Sequence, residues 1–353
     1  MRARSSVLLA VLAFLVASLL AGCGSDEPTG ASADAGESGS GTPVPTESDA
    51  GAFPATVAHK FGETTVDEAP SRVVSVGVTE QDILLQLGVV PIAVTEWYGE
   101  KPFATWPWAE ELLGDAEPEV LSTADGFEFE RIAALQPDLI VGTNAGLTAK
   151  DYELLSQIAP TVASVEGSTR YFSSWQDQTM QIARALGREA DGQALVDEVQ
   201  GRYAAAAADH PEWQGLTATF SQGGPYDGQL YVYPAGLSTD FLTDLGFTMT
   251  TGLEDYAPEA GAQAEISAEN VGLIDADVVV FATENADQFD ELQEFGTIAQ
   301  LPAVADNRSV YTDETLAGAI YFDTPLSLEY ALDRLVPMLD LAVQGRAPRQ
   351  FPA

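Results

Sequence analysis

The chain has one cysteine, Cys23, and it follows Leu20-Ala21-Gly22. Small residues ahead of a thiol suit cleavage just before the cysteine and acylation of its sulfur. The phrase resembles the bacterial lipobox, and Cys23 is read as a lipid attachment point. A second chemistry lies in the aromatics. Glu96-Trp97-Tyr98-Gly99 is followed by Phe103, Trp106 and Trp108, and later loops carry Asn144, Tyr171, Tyr226 and Tyr321. Aromatic rings give stiff apolar walls with polar tips, which suit a bulky amphipathic ligand. Trp97 and Tyr98 stand out, because two adjacent large rings in a loop beside Gly99 cannot both point inward. The two histidines, His59 and His210, are too few for a histidine metal centre. A Ser/His/Asp triad needs a histidine beside a nucleophile, and no Gly-x-Ser-x-Gly elbow is present. A secreted hydrolase is therefore only a remote alternative, and the chain is read as a non-enzyme with no resident metal or cofactor.

Segments must position these groups. Arg2 and Arg4 precede a run of apolar and small residues from Val7 to Ala21. That run fits a secretory signal and is short for a membrane span, which needs about 20 residues. The expected organisation begins with a signal peptide at 1–22. A lipidated cysteine and tether follow at 23–52. Gly24 to Ala52 is Gly/Ser/Ala/Asp/Glu-rich with no aromatic residue, so it lacks the apolar area to order itself. Such a tether has an r.m.s. reach of about 30 Å.

From residue 53 the pattern changes. Ala55 to Phe61 and Thr64 to Val66 flank Gly62-Glu63 as a β-hairpin, with His59 as an ordinary strand histidine. Val73 to Val76, Val90 to Val94 and Leu139 to Val141 read as buried strands. Gln81 to Leu87, Phe129 to Leu135 and Tyr152 to Ile158 read as helices. Ser173 to Leu186 and about Arg188 to Ala208 read as two further helices. Alternation then resumes from Ala218, and Leu326 to Leu341 closes the chain as an amphipathic helix. Strands alternating with helices predict an α/β fold with mostly parallel sheets. Two phrases repeat in order. Asp82 to Gly88 matches Asp240 to Gly246, and Ile132 to Thr143 matches Val271 to Thr283. The echoes favour duplication into two related lobes.

Charge narrows the partners. The chain carries 15 Lys+Arg against 54 Asp+Glu, a formal net charge of −39. That excludes nucleic acid as the leading partner and disfavours docking on anionic headgroups. With 46% hydrophobic residues, the chain can bury a large core.

The ordered phrases Pro70 to Ser75, Asp82 to Gly88, Glu130 to Ile140, Tyr152 to Thr161 and Leu326 to Leu332, behind a lipobox and tether, resemble the substrate-binding proteins of ABC importers for ferric siderophores and cobalamin. The resemblance covers about Phe53 to Val343. It implies two Rossmann-like lobes, 53–172 and 188–353, joined by one rigid backbone helix at 173–187. It implies a monomer on the outer face of the bacterial cytoplasmic membrane. Its ligand would be a ferric siderophore handed to an ABC transporter permease, with cobalamin or haem as the alternative.

In such a cleft the ligand-binding candidates are Trp97, Tyr98, Trp106, Asn144, Arg170, Tyr171, Tyr226 and Tyr321. Hydroxamate-binding relatives often place Arg a few residues before the position of Glu130, where this chain has Thr123-Ala124-Asp125-Gly126. No Lys or Arg occurs between His210 and Arg308, so Lys101 and Arg170 are the remaining bases near the aromatic loops. A buried anion needs a paired cation, so the ligand is expected to be neutral or cationic, as a ferric hydroxamate is. The resemblance also implies one acidic residue on each lobe that meets permease arginines, at Asp82 and Asp240.

Overall fold

The structure is a computed structural model that describes residues 53–168 and 173–352. Cys23, the signal and tether, Arg170 and Tyr171 lie outside those residues. Strands β1 (Ala55–His59) and β2 (Gly62–Val66) form the expected antiparallel hairpin. His59 is buried in it. Its Nδ1 accepts from the Phe61 backbone N–H and its Nε2 meets Thr64 Oγ1 at 2.9 Å, while burial lowers its pKa. It is a satisfied structural histidine.

The first lobe alternates strand and helix: β3 (Val73–Ser75), α1 (Glu80–Gln86), β4 (Ala93–Thr95), α2 (Glu110–Leu113), β5 (Glu119–Leu121), α3 (Phe129–Ala134), β6 (Leu139–Gly142), α4 (Ala149–Ser156) and β7 (Thr161–Ala163). The sheet order is β5-β4-β3-β6-β7, and every pairing is parallel. Strands β3, β4, β6 and β7 are buried on both faces, and the first three fall in the largely apolar runs read from the sequence.

Helices α5 (Trp175–Ala185) and α6 (Glu189–Asp209) follow. The expected link at 173–187 corresponds to α5, and here the structure differs. The buried face of α5 packs with the first lobe: Ile182, Ala183 and Ala185 share a core with Val57, Val73 and Leu84. Gln181 Nε2 donates to the carbonyls of Ala58 and Ala163, tying α5 to β1 and β7. The linking helix is α6. Its Leu195 packs on the first lobe's core, while Val196, Val199 and Tyr203 sit in the core that reaches the second. Its 21 residues span about 31 Å at 1.5 Å per residue. Gly192 lets α6 approach α5 closely, since a Cβ there would stand 2.3 Å from that of Ala183.

The second lobe comprises β8 (Thr217–Gln222), β9 (Gln229–Tyr233), α7 (Asp240–Thr243), β10 (Thr248–Met249), β11 (Ala264–Ser267), β12 (Val278–Ala282), α8 (Ala286–Glu294), α9 (Pro302–Ala305), β13 (Ser309–Tyr311), α10 (Glu314–Phe322) and α11 (Pro325–Val343). Its order is β11-β9-β8-β12-β13, with β10 on β8. Strands β10, β8, β12 and β13 are parallel and match β4, β3, β6 and β7; β9 and β11 enter as antiparallel additions. The duplication extends to single contacts. Asp138 receives the backbone N–H groups of Ser71 and Arg72, and Asp277 receives that of Thr217, each clipping a strand start.

The lobes share one apolar seam. Trp106 stacks on Trp108 at 5.1 Å and 12°, and Phe322 of α10 sets its ring against both at 5.8 and 5.3 Å. Removing the Phe322 ring leaves a cavity between lobes. Phe322→Ala should lower unfolding free energy by about 3–5 kcal/mol, read as a lower urea midpoint at unchanged slope.

Candidate functional site

In parallel α/β sheets, ligands gather at the C-terminal ends of strands. After β4 the chain passes through Glu96, Trp97 and Tyr98. The rings of Trp97 and Tyr98 meet edge-on at 4.9 Å. Gly99 at φ 85° makes the turn, and a Cβ there would strike Trp106 at 2.6 Å. Tyr98 reaches Tyr321 of α10 at 6.2 Å, and Tyr321 reaches Tyr233 of β9 at 6.3 Å. Three phenols therefore gather between the lobes, with Trp97, 43% exposed, against Tyr98.

The phenols stay neutral. Burial raises the pKa of Tyr98 and Tyr321 far above the ordinary range, and that of Tyr233 to about 12. The Tyr233 hydroxyl meets Gln222, Gln263 and Tyr321. The Tyr98 hydroxyl is buried without a hydrogen-bond partner among the described residues, so it is a donor and acceptor in waiting. Two carboxylates border them. Glu284 follows β12 and Glu314 opens α10; both charges act on Tyr98. Lys101 Nζ crosses between lobes to Glu314 Oε2 at 2.9 Å and lies 4.6 Å from the Trp106 ring centre.

Of the expected ligand residues, the structure brings Trp97, Tyr98 and Tyr321 together. Trp106 touches the same nest but is 1% exposed, because Trp108, Phe322, Tyr98 and the Lys101 ammonium enclose its ring; its expected ligand contact is corrected to a core role behind Tyr98. Asn144 sits after β6, half-buried, its Nδ2 donating to Thr79 Oγ1 at 3.0 Å and its backbone N–H to Glu80 Oε1 at 2.7 Å. Tyr226 is 72% exposed at a hairpin tip, with Tyr231 as ring neighbour 6.5 Å away, apart from the phenol group.

Asp82 also requires correction. It is 0% exposed, and its Oδ2 accepts from Trp108 Nε1 and Thr324 Oγ1, both at 2.8 Å. A carboxylate enclosed in this way cannot reach an arginine on another protein. Asp240 is half-buried near Asp244 and Asp323, and burial raises its pKa to about 6.

Sequence reasoning missed Tyr233, Glu284, Glu314 and the buried Glu80. The available signal was position: Glu284 and Glu314 each follow a strand end in the segment poor in cations. One grouping offers metal-ligand atoms among the described residues: His210, Glu212 and Asp340 lie within 4.8 Å of one another, partly exposed, with His210 stacked on Trp213. No helix among the described residues is long and apolar enough to cross a membrane.

The profile of the periplasmic binding protein family matches residues 73–316. A periplasmic solute binding protein from Mycobacterium smegmatis has a solved structure that is 42% identical, covering 82% of this chain and 98% of that one, with a TM-score of 0.76. PiaA of Streptococcus pneumoniae, solved in complex with ferrichrome, is 26% identical over 83% of this chain and 99% of that one, with a TM-score of 0.68. The putative ABC transporter substrate-binding lipoprotein YhfQ of Bacillus subtilis is 32% identical over 142 residues, 38% of this chain and 40% of that protein. The chain spans about half the length of the first curated relatives it matches, 40% and 52%.

The Asp82 carboxyl generates a prediction. Burial raises its pKa from 3.8 to about 6, against the two hydrogen bonds that lower it. The folded state therefore holds the proton more tightly than the unfolded chain, and stability falls as pH rises from 3.8 to about 6. At 1.36 kcal/mol per pH unit the fall is about 3 kcal/mol. Asparagine keeps an oxygen acceptor and does not ionise. Between about pH 4 and pH 7, the stability of Asp82→Asn relative to the parent should improve by about that amount. Urea titrations at the two pH values measure it.

Proposed function

Since the chain belongs to the periplasmic binding protein family, we propose that it is a lipid-anchored, extracytoplasmic substrate-binding protein that captures a ferric siderophore of the hydroxamate type and delivers it to an ABC importer. The observation that carries this reading is the interlobe site itself. Three neutral phenols and an exposed indole face one another across the lobes, bordered by carboxylates. Such a surface offers hydrogen-bond donors to oxygen-rich ligands and apolar walls to their carbon frame. Lys101 is the cation beside it among the described residues, and it is engaged by Glu314. A multiply anionic catecholate or carboxylate chelate would find little compensation there. A relative solved with ferrichrome supports the ligand class. The α6 link and shared seam fit a molecule that closes by small motions. Arg170 and Tyr171 keep their proposed place as ligand contacts, and Asn144 borders the same strand ends.

A curated relative is a vitamin B12-binding protein, 25% identical over 150 residues, which keeps cobalamin as the second reading. Tryptophan fluorescence tests the ligand and its place together. Adding a ferric trihydroxamate should quench emission, and Trp97→Ala should weaken binding by about 1–3 kcal/mol, the scale of burying a large side chain. Unchanged affinity would remove Trp97 from the site, and binding of cobalamin in place of the ferric chelate would favour the second reading.

Anchoring rests on Cys23. Cys23→Ala should move the protein from the membrane pellet to the soluble fraction, and a variant that stays in the pellet would refute the lipid anchor.

A further inference from the structure

Glu284 is a half-buried carboxylate with no basic partner among the described residues. Its Oε2 accepts from Gln288 Nε2 at 3.2 Å, and it joins no ion pair among the described residues. It stands at the end of β12, where its charge acts on Tyr98, Tyr233 and Tyr321 together. Glu314 lies near enough to raise the Glu284 pKa further, after burial. A carboxylate charge beside buried phenols is unfavourable without a cation.

The same nest already shows how it receives one. The Lys101 ammonium rests between the Glu314 carboxylate and the Trp106 face, a carboxylate-and-ring setting that suits ammonium groups. One of the two carboxylates is thereby neutralised; Glu284 is left over. The buried Tyr98 hydroxyl, also unpartnered among the described residues, supplies a neutral contact in the same place.

Resting on the reading that this site takes a ferric chelate, we propose that Glu284 selects a chelate that carries a cationic arm, a primary ammonium or its equivalent. The phenols hydrogen-bond the chelate's oxygens, while Glu284 pairs with the charged end of the arm. Arms that are neutral bind without that pairing, and arms that end in a carboxylate meet repulsion from both acids.

Two probes separate this inference from the function it rests on. Ferrioxamine B is a ferric trihydroxamate with a terminal ammonium; N-acetylation removes the charge and keeps the chelate. The parent protein should bind the ammonium form about tenfold more tightly, the order expected for a partly desolvated charge pair. Glu284→Gln should erase most of that preference while still binding the acetylated form, and Glu284→Asp should keep part of it. The acetylated form reports that the folded site persists in each variant. Equal binding of both probes by the parent, or an undiminished preference in Glu284→Gln, would overturn the role of Glu284 while leaving ferric hydroxamate capture intact. Failure of the parent to bind either probe would overturn the hydroxamate reading, and this inference with it.

Discussion

The seam of Trp106, Trp108 and Phe322 is the contact on which the rest of the described fold depends. It joins the loop after β4 of the first lobe to α10 of the second. Asp82 fixes it from beneath, holding the Trp108 indole N–H and the Thr324 hydroxyl at once. Thr324 is also the N-cap of α11. One buried carboxylate thus ties α1, the tryptophan seam and the start of the last long helix. Its desolvation is unfavourable at neutral pH, and the two donors offset part of it. What this secures is register between lobes: with the seam in place, Tyr98 and Tyr321 stand 6.2 Å apart across the interface.

Duplication explains the placement of the site. Each lobe builds the same parallel core, so each directs its strand ends and their loops toward ligand-binding positions. The copies then diverge. The first lobe contributes Trp97, Tyr98 and Lys101 from the β4 loop. The second inserts the antiparallel β9 and β11, which bring Tyr233 to the site, and adds Glu284 and Glu314 at the ends of β12 and β13. The interlobe face formed by these residues is therefore asymmetric in charge although the scaffold is nearly symmetric in topology. The family match and the solved relatives agree with that scaffold.

Much of the scaffold was legible because parallel strands buried on both faces leave unbroken apolar runs, as in Leu139 to Val141 and Val278 to Ala282. The Asp82 and Asp240 echoes gave the duplication. The linking helix was misplaced by one element, since α5 has the more regular apolar face, and that face serves the first lobe. Helix α6 has an alanine run that hides its role. Short strands such as β10 and β5 carry too few residues to register as periodic. Among the residues expected from loop position and ring type, Trp97, Tyr98 and Tyr321 are the ones whose rings the structure brings together. Trp106 and Asp82 were not, because burial behind a neighbouring ring or beneath an indole N–H depends on tertiary contacts. An acidic residue near a helix start looks the same whether it faces solvent or a partner lobe. Glu284 and Glu314 became visible only once two strand ends were brought beside three phenols.

The most direct test of the central claim is competitive binding followed by native mass spectrometry. The apo protein would be mixed with equimolar ferric trihydroxamate, ferric catecholate, ferric citrate and cobalamin. A site lined by phenols and bordered by acids predicts a single one-to-one adduct with the mass of the trihydroxamate. An adduct with the catecholate, citrate or cobalamin in its place, or no adduct at all, would contradict the account.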